Sequence, residues 1–189
     1  MTEQDRARFL ETIRAQGDRL AEMVDKLLAL ASVEHLRRIE QPVAVDLDAT
    51  IREAVERVTP AAARRANVIA RSGEVGTVTG DPFLLRQSLV NLLDNALAFA
   101  PADSTVEIDV RRTDRGWTIS VADRGPGIPD YAEQRVFERF YSLPRPGGGS
   151  RSSGLGLSFV AQVASLHGGR ATLANRPGGG AVATFEIAG

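Results

Sequence analysis

Apolar residues near the start of the chain recur at alternating intervals of three and four. This spacing predicts one helix over residues 3 to about 38, interrupted at Gln16 and ended by Pro42. The apolar stripe comprises Phe9, Ile13, Leu20, Met23, Leu27 and Leu30, and it is widened by Val24 and Leu28. So wide a stripe is typical of a helix in a bundle, although a single helix packed on its own domain has the same pattern.

Beyond Pro42, stretches of alternating polarity lie between further helical patterns. Strands are predicted at residues 43–47, 67–71, 105–113, 117–122, 170–175 and 181–187. Helices are predicted at residues 48–65 with Asp48 as the cap, at 82–99 with Asp81 as the cap, and at 154–166. Residues 131–141 are expected to be partly helical, and residues 143–153 to form a mobile loop. The predicted fold class is α/β, a two-layer sandwich of a mixed sheet with about five strands and three helices on one face.

Composition narrows the possible chemistry. The chain has 189 residues, is 43% hydrophobic and has a net charge of −1, so one domain with an attached helix is expected and a nucleic-acid-binding surface is not. It contains neither a signal-peptide pattern nor an apolar run long enough to cross a membrane. The absence of cysteine excludes disulfides and Cys-zinc sites. The only lysine, Lys26, lies far along the sequence from any glycine loop, which excludes a Gly-Lys-Ser/Thr phosphate loop.

Two asparagines lie one turn apart on the predicted helix at residues 82–99. The apolar stripe of that helix comprises Leu85, Leu89, Leu92 and Ala96. The amides of Asn91 and Asn95 therefore project together beside the stripe. Such amides can offer an oxygen to Mg²⁺ and N–H groups to phosphate, although two plain surface residues would give the same spacing.

Two segments that contain glycine add a second kind of candidate site. Asp123 follows directly on a strand, and its carboxylate can accept a hydrogen bond from the exocyclic amine of adenine. Gly125 and Gly127 would let the backbone approach a flat ligand. Residues 154–157, Gly-Leu-Gly-Leu, open a helix whose first amides are unpaired and favour phosphate. A plain turn and a linker that ends at a helix cap are the respective alternatives.

An aromatic segment, residues 137–141, stands between these two glycine segments. Phe137 and Phe140 are expected to pack in the core and to anchor one end of a lid. The order of the four features resembles the asparagine, first glycine, phenylalanine and second glycine boxes of sensor histidine kinases, within the ATPase group that includes gyrase, Hsp90 and MutL. The resemblance covers residues 43–189. Residues 23–31 are similar to the second helix of the family's dimerisation and phosphoacceptor bundle. Residues 141–146, followed by residues 152–157, are similar to its CreC branch.

The resemblance implies a Bergerat ATP-binding fold at residues 42–189, preceded at residues 1–41 by a long helix of a dimerisation bundle, with ATP and Mg²⁺ as cofactors. Asn91 is expected to be the Mg²⁺ ligand and Asn95 its companion at the phosphates, both in catalytic roles. The residues expected around the base are Asp123, which reads the adenine amine, Gly125, Gly127 and Phe99. Those expected at the phosphates are Gly154, Leu155 and Gly156, with Arg145 and Arg151 contributed by a lid at residues 142–153.

Two departures from the family pattern affect this interpretation. Many members carry a basic residue where Ala98 stands, so one phosphate contact is missing or is supplied by an arginine. The phosphoacceptor box of the first bundle helix is also absent. His35 matches the far end of the second helix and is expected to be solvated, whereas His167 is expected to cap or pack at a helix end. We therefore interpret the chain as a kinase fragment without its acceptor helix and sensor, unable to phosphorylate itself.

The predicted function is donation of the ATP γ-phosphate to a histidine outside the chain, for relay to a response regulator. The full-length kinase is expected to form a homodimer through the N-terminal helix, and this part is expected to be cytoplasmic, below an inner-membrane sensor. One alternative is a gyrase-type or Hsp90-type ATPase, which needs a glutamate where Gln87 and Ser88 stand. A serine kinase of the anti-sigma type, which predicts no long N-terminal helix, and an inactive dimerisation module are the others.

Overall fold

The structure, a computed structural model, describes residues 2–146 and 152–189. Its helices are α1 (Glu3–Glu34), α2 (Leu47–Ala63), α3 (Pro82–Phe99) and α4 (Gly156–Leu166), with a 3₁₀ turn at Asp130–Ala132. Its strands are β1 (Val43–Asp46), β2 (Val68–Gly73), β3 (Thr77–Gly80), β4 (Thr105–Thr113), β5 (Gly116–Ala122), β6 (Ala171–Asn175) and β7 (Ala181–Ala188). No helix in these two ranges has the length and apolar character needed to span a bilayer.

The strands form a mixed five-stranded sheet in the order β2-β4-β5-β7-β6 and a separate antiparallel pair, β1-β3. In the larger sheet β2 and β4 are parallel and the other pairs are antiparallel. The alternation of buried and exposed residues along β4, β5 and β7 gives the sheet one apolar face, on which Val110, Ile119 and Phe185 are fully buried. The α/β two-layer architecture predicted from the sequence is confirmed.

The start of α3 agrees with the sequence, whereas the start of α2 does not. The Asp81 carboxylate accepts a hydrogen bond from the Leu84 amide at 2.9 Å, and Pro82 occupies the first helical position. The prediction of Asp48 as the cap of α2 is wrong, because Asp46 at the end of β1 accepts the amide hydrogen bonds of Asp48 and Ala49 instead. Asp48 lies within the first turn, where its carboxylate is free to pair with Arg71.

Three other features of the fold differ from the sequence prediction: the end of α1, the presence of β3 and the helix content of residues 131–141. Helix α1 ends at Glu34 rather than near residue 38, because the chain turns there and packs Leu36 against the core. Strand β3 was not predicted, since only Val78 of its four residues is fully apolar and buried. Residues 131–141 contain little helix beyond the 3₁₀ turn at Asp130–Ala132.

Among the described residues, the C-terminal part of helix α1 packs against the rest of the molecule. Leu30 and Val33 are buried in the main core, where α1 packs against α4, and Glu34 forms an ion pair with Arg139. The remaining apolar stripe is solvent-exposed and includes Phe9, Leu10, Ile13, Leu20, Val24 and Leu28. This exposed stripe is compatible with a bundle partner, and the division of the chain at residues 41 and 42 stays a prediction.

Candidate functional site

An open cleft lies beside α3, between the loop after β5 and the N-terminus of α4. Of the residues predicted from the sequence, the cleft is lined by Asn91, Asn95, Phe99, Asp123, Gly127, Arg145, Gly154 and Gly156. Gly125 and Leu155 are not part of the lining, and Arg151 lies outside the described residues. Residues from segments far apart in the sequence therefore meet in one cavity.

The leucines of α3 turn its two asparagines towards the cleft. Leu85, Leu89 and Leu92 are almost completely buried on the face that packs into the core. Asn91 is 9% exposed, and in the part of the chain that the structure describes its amide makes no hydrogen bond. Because Asn91 lines the cleft, its amide is available to hydrogen-bond or coordinate a ligand there. Asn91 is therefore suited to a ligand that offers hydrogen bonds or a metal ion.

Asp123 has one carboxylate oxygen in the wall of the cleft and one without a partner. Its Oδ1 accepts the Gly125 N–H at 2.7 Å and the Ala181 N–H at 3.4 Å. No described residue donates a hydrogen bond to Oδ2, although the side chain lines the cleft. Burial raises the pKa of Asp123, an effect opposed by the two backbone hydrogen bonds and by the charge of Arg176. The free oxygen can accept a hydrogen bond from a ligand.

At three of the four candidate glycines, a side chain would collide with the rest of the protein. A Cβ at Gly125 would lie 2.6 Å from the Phe99 carbonyl oxygen, and a Cβ at Gly127 would collide with the Asn175 side chain. Gly154 has a φ of +69°, and its Cβ would lie 2.5 Å from the Phe140 carbonyl carbon.

Gly156 differs from these three glycines. A Cβ there would meet nothing nearer than 3.6 Å, and the nearest atoms belong to Asn91. The fold itself therefore requires glycine at positions 125, 127 and 154. At Gly156 a Cβ would be in ordinary van der Waals contact with Asn91, so no collision requires a glycine there.

The N-terminus of α4 adds backbone donors to the cleft. The first N–H groups of an α-helix have no intrahelical partner, and in the described part of the chain no side chain caps those of α4. Leu155 is 1% exposed and anchors the helix start in the core rather than lining the cleft. Unpaired amides and the helix dipole make this end a suitable place for an anion.

The aromatic segment before the predicted lid supports the cleft from one side. Val136 is buried in a small apolar cluster against which Phe137, Tyr141 and Leu143 pack. The expectation that Phe140 packs in the core is wrong, because its side chain is 63% exposed, while its backbone N–H bonds to the Gly154 carbonyl at 2.9 Å. That bond ties the segment to the approach of α4.

Two cations line the cleft among the described residues, Arg145 and Lys26. The Arg145 Nε is buried without a hydrogen-bond partner in the described part of the chain. Lys26 was given no role from the sequence, because it lies far from the motifs along the chain. The packing of α1 against α4 nevertheless brings it to the cleft together with Asp94, and both side chains take part in interactions within the protein. No spacing rule in the sequence could have placed it there.

Neither histidine lines the cleft. His35 is exposed at the end of α1, with its Nδ1 2.8 Å from the Ala31 carbonyl oxygen. His167 is buried at the end of α4; its Nδ1 lies 2.8 Å from the Val163 carbonyl oxygen, and its Nε2 accepts the Asp81 N–H at 3.2 Å. Burial lowers the pKa of His167 and favours the neutral ring. Both histidines are placed as expected, one in solvent and one packed at a helix end.

Known proteins are similar to this chain in sequence and in fold. The sequence profile of the histidine kinase-, DNA gyrase B-, and HSP90-like ATPases matches residues 80–188. The chain is 40% identical over 181 residues to the sensor protein CreC of Escherichia coli (strain K12). This aligned region covers 96% of this chain and 38% of that protein. It is 36% identical over 182 residues to the sensor-like histidine kinase SenX3 of Mycolicibacterium smegmatis (strain ATCC 700084 / mc(2)155), covering 95% of this chain and 47% of the relative. The chain thus spans less than half the length of these relatives.

Solved structures give the same picture. The crystal structure of full-length ShkA in complex with AMPPNP has a TM-score of 0.80 at 28% identity, covering 99% of this chain and 39% of that chain. The mycobacterial sensor histidine kinase MprB has a TM-score of 0.68 at 31% identity, covering 79% of this chain and 98% of that chain. The similarity to ShkA extends over α1 as well as over the sheet and its helices.

Proposed function

The chain belongs to the histidine kinase-, DNA gyrase B- and HSP90-like ATPase family and contains the ATP-binding catalytic domain of a sensor histidine kinase, and we propose that it holds ATP in the cleft and donates the γ-phosphoryl group to a histidine elsewhere. One observation supports this most: the side chains of Asn91, Asn95 and Asp123 share a single cavity with the uncapped start of α4. Phosphoryl transfer depends mainly on positioning and on neutralising charge, and this cavity offers both.

The adenine would bind at the Asp123 end of the cleft. The Asp123 Oδ2 would accept a hydrogen bond from the exocyclic amine, while Oδ1 keeps its two backbone donors. Phe99 and Gly127 line the same cavity and would flank the base. Gly125 would act indirectly, because its N–H holds the carboxylate in place.

The phosphates would bind at the other end, against α4. The unpaired amides beginning at Gly156 would donate to phosphate oxygens, and Gly154 would allow the turn that aims them. Asn95 and Arg145 line the cavity and would add side-chain donors. We propose Arg151 as a further phosphate contact on the basis of the sequence resemblance alone.

The donor set fits Mg²⁺ bound together with ATP. The Asn91 amide supplies one oxygen of the kind that Mg²⁺ prefers. Among the described residues no cluster of three or more His, Cys, Asp or Glu side chains could hold the ion alone, so phosphate oxygens and water would complete the octahedral coordination. The ion would neutralise charge on the phosphates.

We infer that neither His35 nor His167 is the phosphoryl acceptor, and the observation that supports this is that neither lines the cavity. We extend the proposal to the partners of the whole kinase: a histidine on another segment or chain as acceptor, a response regulator as the next carrier, and a homodimer formed through α1. The proposal places the catalytic domain in the cytoplasm, where ATP is available. The exposed apolar stripe of α1 supports the dimer.

A water-activating ATPase of the gyrase or Hsp90 type has less support. Hydrolysis would need a general base near the γ-phosphate, and α3 contains no glutamate. In the turn before Asn91, Ser88 is fully buried and Gln87 cannot accept a proton. The 32-residue α1 in turn disfavours a serine kinase of the anti-sigma type, which would lack such a helix.

Two measurements test the proposal. Titration calorimetry should show AMPPNP binding in the presence of Mg²⁺, and AMPPNP at about 100 times its Kd should raise the unfolding free energy by roughly 2.7 kcal/mol. Incubation with γ-³²P-ATP should leave the purified chain unlabelled but should label an added bundle fragment that carries an acceptor histidine. Absence of nucleotide binding would overturn the proposal, and stable label on His35 or His167 would contradict its claim about the acceptor.

A further inference from the structure

The lysine on α1 lines the cleft, although the proposed site gives it no role. Lys26 lines the cavity together with Asn91, Asp94 and Asn95, although it lies 65 positions before Asn91 in the sequence. The other described lining residues belong to the segment from Asn91 to Ala181. Lys26 is half-buried, and one turn further along α1 Leu30 is buried in the core. The helix is thus fixed close to the point where Lys26 reaches the cavity.

From this placement we infer that Lys26 is a phosphate-binding residue that recognises the γ-phosphate of ATP and thereby couples nucleotide binding to the docking of α1. The inference rests on the proposed function, since it requires a nucleotide in the cleft. It adds a residue from outside the ATP-binding domain to the site and a means by which α1 could respond to the nucleotide.

The location of Lys26 favours the phosphate end of the cavity over the base end. Helix α1 packs against α4, whose uncapped N-terminus is the proposed phosphate site. The base end is formed by Asp123 and by Ala181 of β7, elements with which α1 has no principal contact among the described residues. An ammonium group that enters the cavity from the α4 side therefore meets phosphate oxygens before it meets the base.

Charge supports the same assignment. The described lining contains the carboxylates of Asp94 and Asp123 and, on the positive side, Lys26 and Arg145. A triphosphate carries about one more negative charge than a diphosphate, so the terminal phosphate needs an additional cation. Lys26 lines the cavity and can supply such a cation.

A contact between Lys26 and the nucleotide would have a mechanical consequence. The described contacts that attach α1 include Leu30, Val33, Ala29 and the ion pair between Glu34 and Arg139. ATP would add a further link across the same boundary, which ADP would not make. By thermodynamic linkage, if docked α1 raises the affinity for ATP, bound ATP must stabilise the docking of α1 by the same free energy.

The inference is tested by comparing AMPPNP with ADP in calorimetric titrations with Mg²⁺. Lys26→Met should weaken AMPPNP binding by about tenfold, the effect of one charge-assisted hydrogen bond, and ADP binding by less than about twofold. Lys26→Arg should restore most of the preference for the triphosphate. Arg14→Met, which removes one positive charge from an exposed position of α1 outside the cavity, should leave both affinities unchanged.

Hydrogen exchange adds a readout of α1 itself. AMPPNP should slow amide exchange over residues 24–34 more than ADP does, and Lys26→Met should remove the difference. Equal losses for AMPPNP and ADP in Lys26→Met, or an unchanged preference for AMPPNP, would overturn the inference while nucleotide binding itself remains. If the unaltered chain binds neither nucleotide, the proposed function fails instead, so the two failures are distinguishable.

Discussion

Replacing Asp123 by asparagine changes one atom of the cleft in a way that the structure makes predictable. The Gly125 and Ala181 amides both donate to Oδ1, so the asparagine oxygen is expected to take that position. Its NH₂ group then replaces Oδ2 and faces the cavity. A hydrogen-bond acceptor for the adenine amine would become a donor, while the backbone hydrogen bonds of the loop are kept.

The size of the effect follows from the lost hydrogen bond. A hydrogen bond to a charged group is worth about 1.5–3 kcal/mol, so AMPPNP should bind about 10- to 150-fold more weakly to Asp123→Asn. In Asp123→Asn the new NH₂ group and the adenine amine are both donors and repel each other, so the loss of AMPPNP affinity should lie towards the upper end of that range. A GTP analogue should lose little or gain, because the new NH₂ group can donate to the carbonyl oxygen of guanine.

The fold should tolerate the change. Burial raises the pKa of Asp123, so the carboxyl group stabilises the folded chain below the pKa of the unfolded chain, and this contribution is lost as the pH rises through the folded pKa. At neutral pH an uncharged asparagine should therefore keep or raise the melting temperature. The affinity of the unaltered chain for AMPPNP should fall as the pH drops through the raised pKa, a step that Asp123→Asn should lack.

Calorimetric titration with AMPPNP and a GTP analogue, together with thermal unfolding followed by circular dichroism, measures all of these effects. Asn175→Asp is not a useful control, because Asn175 holds the Ile128 backbone. Glu107→Gln is a better one, since this carboxylate lies outside the cleft and pairs with Arg124 and Arg176. An Asp123→Asn variant with a normal melting temperature and an AMPPNP affinity within about threefold of the unaltered chain would refute the assignment of Asp123 to the base.

Three further predictions concern the glycines, the metal ion and the buried histidine. Gly156→Ala should weaken AMPPNP binding about tenfold in calorimetry without lowering the melting temperature. Gly154→Ala should instead lower the unfolding free energy by about 1–3 kcal/mol in urea titrations, because the φ of Gly154 is +69°. Equal melting temperatures of the two variants would contradict this difference. Asn91→Ala should make AMPPNP affinity insensitive to EDTA, and a retained Mg²⁺ dependence would exclude Asn91 as the ligand. As the pH falls below about 6.5, the fold should lose stability, since the lowered pKa of His167 lets the unfolded chain bind the proton first. Urea unfolding should show this slope in His35→Gln and not in His167→Gln.

Elements with complete local signals could be predicted from the sequence. Helix α3 has a cap at Asp81, a proline at its first position and a leucine stripe, and all of these act within a few residues of one another. The β4-β5 and β6-β7 hairpins likewise follow from alternation and turn residues. Because Asn91 and Asn95 lie on such an element, their shared direction could be predicted with it.

The remaining features depend on contacts between distant segments. Asp46 and Asp48 are equally good caps by composition, and the extended end of β1 decides between them. Strand β3 forms because it pairs with β1. Its four residues include one buried valine, which is too weak a pattern to predict a strand from the sequence. Lys26 reaches the cleft through the packing of α1 on α4, so its distance from the motifs along the chain is irrelevant.

The glycines of the cleft limit what a motif match can establish about contact with ATP. At Gly125, Gly127 and Gly154, a Cβ would collide with backbone or side-chain atoms of the protein, so substitution there would distort the walls of the cavity whatever it binds. Loss of ATP binding in such variants would follow from folding alone. Gly156 is different, since its Cβ would collide with nothing and would lie in ordinary van der Waals contact with Asn91 at the cleft. Substitution at Gly156 therefore probes the approach of the phosphates, and it separates a nucleotide site from a cavity that only resembles one.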